Sequence, residues 1–322
     1  MRRLLIAAGL CVLGAAAGLP APAAQQYPVR PVRLVAPFPP GGGTDILSRV
    51  IAVPMTEVLR QPVIVDNRPG AGGLLGAELV AHAERDGYTV TLVSASYAAS
   101  CAYGKPTFDP IDGIDPIILI GTTGIVLAVH PSVPAKTTSE FIAHARANAG
   151  KLNYGSVGPG SQGHLLMELF KLDSKTHIVH VPYKGAGPAL AATIAGEVQV
   201  TAIAAVPIVP HLKAGRLRAL GVTTAKRFSM LPDVPPIADV LPGFDVLHWY
   251  GMWAPKGTPA AIVALWNREV ARIMRSPEMV RQMGAEGLDA GGGPPRQFYD
   301  VNKAAVQKWR RVIGEANIPR GG

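Results

Sequence analysis

Short apolar runs alternate with longer amphipathic segments over most of this chain. The apolar runs suit buried strands, and the amphipathic segments have the spacing of helices. In the first part of the chain the predicted strands are 32–36, 62–66, 88–93, 114–121 and 125–129, and the predicted helices are 45–59, 76–85 and 138–148. This order predicts an α/β fold with mainly parallel strands. We expect the first helix to be interrupted near Pro54, because proline lacks a backbone donor.

A second cycle of the same kind begins at residue 152. Its predicted strands are 152–157, 176–181, 198–204 and 217–223, and its predicted helices are 161–172 and 186–195. The final helical segments, 259–276 and 295–316, should pack back onto the first lobe. A chain that leaves one lobe, builds another and returns needs two crossover strands, which we place near Gly124 and Tyr250. The predicted lobes are 24–124 together with 250–322, and 125–249.

The first 23 residues have the features of a secretory signal peptide. A basic start is followed by an apolar run from Leu4 to Leu19, and Ala21-Pro22-Ala23 supplies the small residues that a signal peptidase accepts. A membrane anchor is the alternative, but the run breaks at Pro20 and is shorter than the roughly 20 residues that a span needs. We therefore expect cleavage near Ala23 and a soluble, periplasmic mature protein.

Composition narrows the class of protein further. Of the 322 residues 48% are hydrophobic, and about 300 residues would remain after cleavage, which favours two lobes over one core. The formal charge is +9, but the basic residues are scattered and aromatic residues are few, so nucleic-acid binding is disfavoured. A mildly positive surface favours anionic solutes. Cys101 is the only thiol left in the mature chain, so we expect no internal disulfide.

The glycine-rich turn from Phe38 to Asp45 joins the first strand to the first helix. It lacks the Lys-Ser/Thr pair of a phosphate-binding P-loop. Glycines such as Gly42 and Gly43 let the backbone approach a ligand closely, and a helix start supplies unpaired N–H donors. Thr44 can cap the helix or touch the ligand. The alternative is a tight turn with nothing bound.

A second glycine-rich turn contains Gly158-x-Gly160-x-x-Gly163, the spacing of a dinucleotide fingerprint. We reject that function, because Pro159 interrupts the turn and no acid follows to hold a ribose. Ser156 and Ser161 remain as donors, and Ser161 suits a helix N-cap. His164 lies on the same helix face as Ser161, but hydrolysis also requires an orienting group and an oxyanion hole. A capping serine and a structural or ligand-facing histidine fit better.

The third turn, Tyr183-Lys184-Gly185, offers a cation that could face an anion or simply solvent. We expect no metal site and no cofactor: His177 and His180 fall on opposite faces of a predicted strand, with no Cys or acid cluster nearby. The aromatic stretch 248–253 could pack at the hinge or line the cleft, and core packing is the favoured use.

Several motifs together resemble one family. They are YPVRPVRLVAPFPPGGGTD, QPVIVDNRPGAGG, ERDGYTV, GKLNYGSVGPGSQGHLLMELF, HVPYKGAGPAL, LKAGRLRALGVTTAKR, LPDVPP and APKGTP. In order and spacing they resemble the extracytoplasmic solute receptors of tripartite tricarboxylate transporters, also called the Bug family. The chain departs from the family pattern at Gln199, where many relatives carry an acid, and at 97–107.

The resemblance implies a fold like the type II periplasmic binding proteins, with two Rossmann-like lobes, a two-strand hinge and a ligand cleft. It implies no catalysis and a small carboxylate as cargo (a di- or tricarboxylate, amino acid or aromatic acid), delivered to a two-component membrane permease. We expect the receptor to be a monomer. The ligand-binding residues carried over are Phe38, Gly42, Gly43, Thr44, Asp45, Ser94, Ser96, Ser156, Gly158, Ser161, His164, Tyr183, Lys184 and Gly185. A receptor that senses its ligand for a signalling partner and an exported hydrolase on the same scaffold are the alternatives.

Overall fold

The structure is a computed structural model that describes residues 27–228, 230–285, 287–315 and 318. The predicted signal peptide, which contains the second cysteine, Cys11, lies outside these residues. The strands are β1 (Val32–Ala36), β2 (Val63–Asn67), β3 (Thr89–Ser94), β4 (Ile114–Val129), β5 (Asn153–Ser156), β6 (Val179–Pro182), β7 (Val200–Ala204), β8 (Arg218–Val222), β9 (Leu247–Pro255) and β10 (Asp289–Ala290). The helices are α1 (Gly43–Leu59), α2 (Leu74–Ala81), α3 (Ala95–Tyr103), α4 (Thr138–Ala147), α5 (Gln162–Ser174), α6 (Ala186–Ile194), α7 (Ala205–Lys213), α8 (Ala260–Met274), α9 (Pro277–Ala285) and α10 (Pro295–Glu315).

One long strand, β4, belongs to both lobes. The main strand order is β2-β1-β3-β9-β4-β7-β5-β6. From Ile114 to Gly124 strand β4 pairs antiparallel with β9, and from Ile125 to Val129 it pairs with β7 and β8. The outer strands of each lobe pair in parallel, β1 with β2 and β3 and β5 with β6 and β7. The predicted α/β class and the two-strand hinge are confirmed, while the residue limits of the lobes stay a prediction. The expectation of mainly parallel strands is wrong: among the described strand pairs four are parallel and five are antiparallel, and every antiparallel pair involves β4 or β9, the strands at the centre of the sheet.

The segments 114–121 and 125–129, predicted separately, form this single strand. Its neighbours change between Gly124 and Ile125, where β9 begins opposite at Leu247. A strand that continues through the change of partners carries the backbone from one lobe to the other without a loop. The hinge is therefore built from paired backbone.

The predicted interruption near Pro54 is wrong, because helix α1 runs unbroken from Gly43 to Leu59. Its buried positions Leu47, Ile51, Met55 and Leu59 recur every four residues and pack on the first sheet. Burying an aliphatic side chain of this size stabilises by about 1.5–3 kcal/mol. Several such contacts outweigh a proline in the helix interior, which costs about 3 kcal/mol.

Helix α10 connects the two hydrophobic cores. Its buried residues Phe298, Val306, Trp309 and Ile313 lie on one face. Phe298 and Val306 pack with residues of the first lobe, whereas Trp309 and Ile313 join the core of the second. The final helices were expected to pack on the first lobe, and for the second half of α10 this is wrong: its last turns reach across to the other lobe.

Candidate functional site

Five helices begin at one cavity between the lobes. Helix α1 follows β1, α3 follows β3, α5 follows β5, α6 follows β6 and α7 follows β7. In open α/β sheets, ligands bind beyond the carboxyl ends of the strands, where such helices start. The cavity of about 40 Å³ is lined by Phe38, Gly42, Gly43, Thr44, Ser94, Ser96, Ile125, Val157, Gln162, Gly163, Ala186, Ala202, Ile203, Ala204, Pro207, His248 and Tyr250.

The amides at these helix starts are largely free of side-chain caps. Within the described chain, α1, α3, α6 and α7 begin without a hydrogen bond from a capping side chain. The first-turn N–H groups of a helix have no partner inside the helix, and the helix dipole adds about half a positive charge there. The cavity is therefore surrounded by several uncapped amide donors and positive dipole ends.

The described residues that line the cavity carry no ionised side chain. The polar side chains are Thr44, Ser94, Ser96, Gln162, His248 and Tyr250. Thr44 Oγ1 is buried and has no hydrogen-bond partner in the described structure. Burial lowers the pKa of His248 to about 3, so its ring is neutral at physiological pH. Backbone dipoles, rather than side-chain charges, set the electrostatics of this cavity.

Six of the fourteen predicted site residues line the cavity. They are Phe38, Gly42, Gly43, Thr44, Ser94 and Ser96, all from the first lobe. Eight lie outside its lining: Asp45, Ser156, Gly158, Ser161, His164, Tyr183, Lys184 and Gly185. Whether any of the fourteen contacts a ligand stays a prediction.

Asp45 organises the first turn rather than facing the cavity. Its carboxylate accepts hydrogen bonds from Gly41 N, Arg49 Nε and Asn67 Nδ2, each at 3.0 Å. Burial alone would raise the pKa of Asp45, but the bonds from Arg49, Gly41 and Asn67 outweigh it and lower the pKa. These bonds hold the loop that precedes α1.

Ser161 caps α5, as its residue type predicts. Its Oγ accepts from His164 N at 3.3 Å. The His164 ring does not pair with that hydroxyl: Nδ1 accepts from Gly160 N at 3.1 Å, and the ring stacks on His180 with centroids 4.3 Å apart. Ser161 and His164 are therefore not arranged as a nucleophile and its base.

A buried polar cluster lies beside this stack. His180 Nε2 is 2.6 Å from Ser156 Oγ, and the ring stacks on Tyr154 at 4.7 Å. Tyr154 donates to Glu168 at 2.6 Å, and Lys171 donates to the same carboxylate at 2.8 Å. Burial and the neighbouring His164 lower the pKa of His180 to about 4. Since Ser156 is only 1% exposed and does not line the cavity, the cluster supports the second lobe from within.

The glycine-rich turns face each other across the cleft. A Cβ at Gly187 would lie 2.8 Å from Pro40 O, and one at Gly185 would lie 2.5 Å from Pro39 Cδ. On the other side, a Cβ at Gly72 would lie 3.0 Å from Pro159 O. Because these glycines lack a Cβ, the two lobes can touch here. From the sequence, the glycine-rich turns were expected only to let the backbone approach a ligand.

Sequence reasoning missed Gln162, His248 and Tyr250. The stretch 248–253 was expected to serve core packing, but β9 places His248 and Tyr250 in the cavity lining. Trp249 and Trp253 occupy the alternate positions and pack against Phe298 and Tyr97. The period of two along a strand was the available signal, because it separates these two sets of side chains.

Two α/β lobes, a two-strand hinge and a cavity of helix starts define a two-lobed solute-binding protein. The sequence pattern of the tripartite tricarboxylate transporter family receptor matches residues 47–318. BugT of Bordetella pertussis is 35% identical over 322 residues, covering 98% of each chain. The chain belongs to the family of tripartite tricarboxylate transporter receptors, whose members are periplasmic.

Solved structures agree with this assignment. Rpa4515 of R. palustris, determined with adipate, is 36% identical, with a TM-score of 0.86 over 90% of this chain and 98% of that one. MatC of Rhodopseudomonas palustris, with bound malate, is 32% identical, with a TM-score of 0.85 over 89% and 100%. This chain is similar to both proteins in sequence and in fold. In the part of the chain described here, no helix combines the length and apolarity needed to cross a membrane.

Proposed function

We propose that this chain captures a small carboxylate in the interlobe cavity, without transforming it, and delivers it to a membrane permease of the tripartite tricarboxylate type. One observation carries the proposal: several uncapped helix starts converge on a cavity whose described lining has no ionised side chain. Such an arrangement favours an anion. The adipate and malate held by the two similar structures are carboxylates.

The expected affinity follows from the number of donors. A hydrogen bond to a charged group contributes about 1.5–3 kcal/mol. Four such bonds, reduced by the entropy lost on capture, give about −8 kcal/mol, which corresponds to a micromolar Kd. No cationic side chain is needed to reach this value.

The absence of turnover has its own support. General acid–base chemistry needs groups within hydrogen-bond reach of the substrate. The described lining offers His248, whose Nδ1 pairs with the neutral amide of Gln162 rather than with a carboxylate that would strengthen the ring as a base, and the closely paired Ser156 and His180 lie outside the lining. After prolonged incubation, mass spectrometry should recover the carboxylate unchanged. Turnover of an ester or phosphoester that Ser156→Ala abolishes would establish an enzyme instead.

The test of binding is a thermal-shift and calorimetric screen on protein stripped of co-purified ligand. Mono-, di- and tricarboxylates are compared with their neutral amides. At least one carboxylate should raise the Tm, because a ligand selective for the folded form stabilises it. Its amide should not. A panel without any carboxylate binding overturns the proposal.

Thr44→Val sharpens that test. The Thr44 hydroxyl is buried without a partner in the described structure, so its removal should not lower the Tm of the free protein. If the hydroxyl donates to the bound carboxylate, affinity should fall about tenfold. Thr107→Val is the control, because Thr107 is exposed and bonds to Glu78, remote from the lining. Equal affinity in the two variants would remove Thr44 from the site.

A further inference from the structure

His248 and Gln162 form a hydrogen-bonded pair in the cavity wall. Gln162 is the first residue of α5, and His248 lies at the start of the hinge strand β9, opposite Thr123. Gln162 Nε2 donates to Leu247 O at 3.0 Å, and Gln162 Oε1 lies 2.5 Å from His248 Nδ1. The bond to a carbonyl fixes the amide orientation, because only the NH₂ group can donate to Leu247.

This orientation fixes the tautomer of His248. The amide oxygen Oε1 can only accept, so His248 Nδ1 must carry the proton. The ring is neutral, because burial disfavours its charged form. Nε2 therefore bears a lone pair and acts as an acceptor. The ring of Tyr250 packs edge-on against His248, with centroids 4.9 Å apart, and limits its rotation.

Nε2 of His248 has no hydrogen-bond partner among the described residues. His248 is 5% exposed and lines the cavity. Since Nδ1 is held by Gln162, Nε2 is the ring nitrogen that remains for a ligand. A buried acceptor without a donor costs free energy once water is expelled. A ligand that fits this cavity must bring a donor to this position.

The residues around His248 Nε2 limit which chemical group of a ligand can donate to it. A carboxylate oxygen accepts only and would meet the Nε2 lone pair unfavourably. An ammonium group would need a counter-charge, but the described lining contains no carboxylate and is surrounded by positive helix ends. A hydroxyl meets both conditions. It donates to Nε2 and carries no charge.

We propose that His248, held by Gln162, makes this receptor selective for a hydroxy-carboxylate, whose carboxylate lies at the helix starts and whose hydroxyl donates to His248 Nε2. This rests on the proposed function and adds its substrate class. His248 is the specificity-determining residue, and Gln162 is the positioning residue that sets its tautomer.

Matched pairs of acids test the proposal on the wild-type protein. Calorimetry at pH 7.5 compares succinate with 2-hydroxysuccinate, glutarate with 2-hydroxyglutarate, and butanoate with 2- and 3-hydroxybutanoate. The hydroxylated member of at least one pair should bind about tenfold tighter or more, because sites built around a hydroxyl reject analogues that lack it. Binding in which every unsubstituted acid is as tight as its hydroxylated partner overturns the proposal.

Substitutions then locate the selectivity. His248→Phe keeps an aromatic ring but removes the acceptor, and should bring the affinity ratio of the preferred pair close to one. Gln162→Leu frees the tautomer and should reduce the ratio several-fold. His82→Phe is the matched control, because His82 is exposed and bonds to Thr107 away from the cavity, and its ratio should equal that of the wild type. If His248→Phe fails to fold, the wild-type pairs and Gln162→Leu still decide.

Different outcomes test the proposed function and the selectivity for a hydroxyl. If no carboxylate of any kind binds, the proposed function fails. If carboxylates bind but the hydroxyl has no effect, or His248→Phe weakens both members of a pair equally, the proposed function stands and this inference is wrong.

Discussion

Gly187 of the second lobe lies directly against Pro40 of the first, so close that a Cβ at Gly187 would be 2.8 Å from the Pro40 carbonyl oxygen. Gly187 is in the first turn of α6 with an ordinary helical backbone, so an alanine there strains nothing within its own lobe. The contact exists only when the lobes are together. Gly187 therefore reports on closure.

Gly187→Ala should weaken ligand binding about tenfold, because the added methyl group opposes the closed arrangement while each lobe stays folded. Calorimetry gives the affinity, and small-angle scattering with ligand should show a larger radius of gyration than the wild type. Gly284→Ala is the control, because a Cβ there would meet no atom within 4 Å. Wild-type affinity in Gly187→Ala would show that this contact does not limit closure.

Gly43 lies against the Tyr250 hydroxyl, and a Cβ at Gly43 would overlap with it. Because the glycines of this turn let the backbone approach a ligand closely, the sequence alone predicts that Gly43→Val abolishes binding and leaves the fold intact. Since Tyr250 is 2% exposed and belongs to the hinge strand, the structure predicts a loss of stability as well. The smaller change Gly43→Ala already places a Cβ against the Tyr250 hydroxyl. Differential scanning calorimetry should therefore give it a lower Tm than the control Gly284→Ala, whose Cβ meets no atom within 4 Å. An unchanged Tm together with unchanged affinity would remove this turn from the site.

Trp309 should contribute strongly to stability, because it carries α10 into the core of the second lobe and is only 1% exposed. Trp309→Ala should lower the free energy of unfolding by about 3–5 kcal/mol, the cost of truncating a large buried aromatic residue. Urea denaturation followed by circular dichroism measures it. Arg311→Ala, on the exposed side of the same helix, should change it by less than about 0.5 kcal/mol. Similar losses in both would mean that α10 is not packed as described.

The histidine stack should make the protein sensitive to acid. Burial and His164 lower the pKa of His180 to about 4, and burial also lowers the pKa of His164. A histidine with a lowered pKa in the folded state takes up protons more readily when unfolded. Its contribution is therefore complete above about pH 6.5 and is lost as the pH falls toward 4.

The wild-type Tm should accordingly fall between pH 7 and pH 5, before the carboxylates Asp45 and Glu168 begin to titrate. His180→Gln should show a smaller fall over that range. The exposed His82→Gln should behave like the wild type. The stack would have no such role if all three proteins lost stability in parallel.

The sequence was sufficient to predict those elements whose hydrophobic or capping pattern lies within a short stretch of the chain. Strand β1, the turn after it and the Ser161 cap follow from apolar runs, glycine and the capping preference of serine. Helix α3 was not predicted, because residues Ala95 to Ala102 are buried all round and so have no polar face. Helix α7 was not predicted either, because it contains two prolines. Pro207 is tolerated because it lies in the first turn, where its missing N–H costs nothing.

Non-local pairing explains what was missed in the site. Nothing in the local sequence shows that Gln162 bonds to Leu247 and His248, 85 and 86 residues away. The same holds for Gly187 and Pro40, which meet only because two lobes face each other. The sequence predicted which turns carry donors, and the fold decides which of those donors share a cavity.

A crystal structure with a bound carboxylate tests the central claim most directly. We predict carboxylate oxygens within about 2.7–3.2 Å of first-turn backbone amides of α1, α3, α5, α6 or α7, with no cationic side chain in contact. A carboxylate held instead by a lysine or arginine side chain, such as the exposed Lys184, or bound away from these helix starts, would contradict the account.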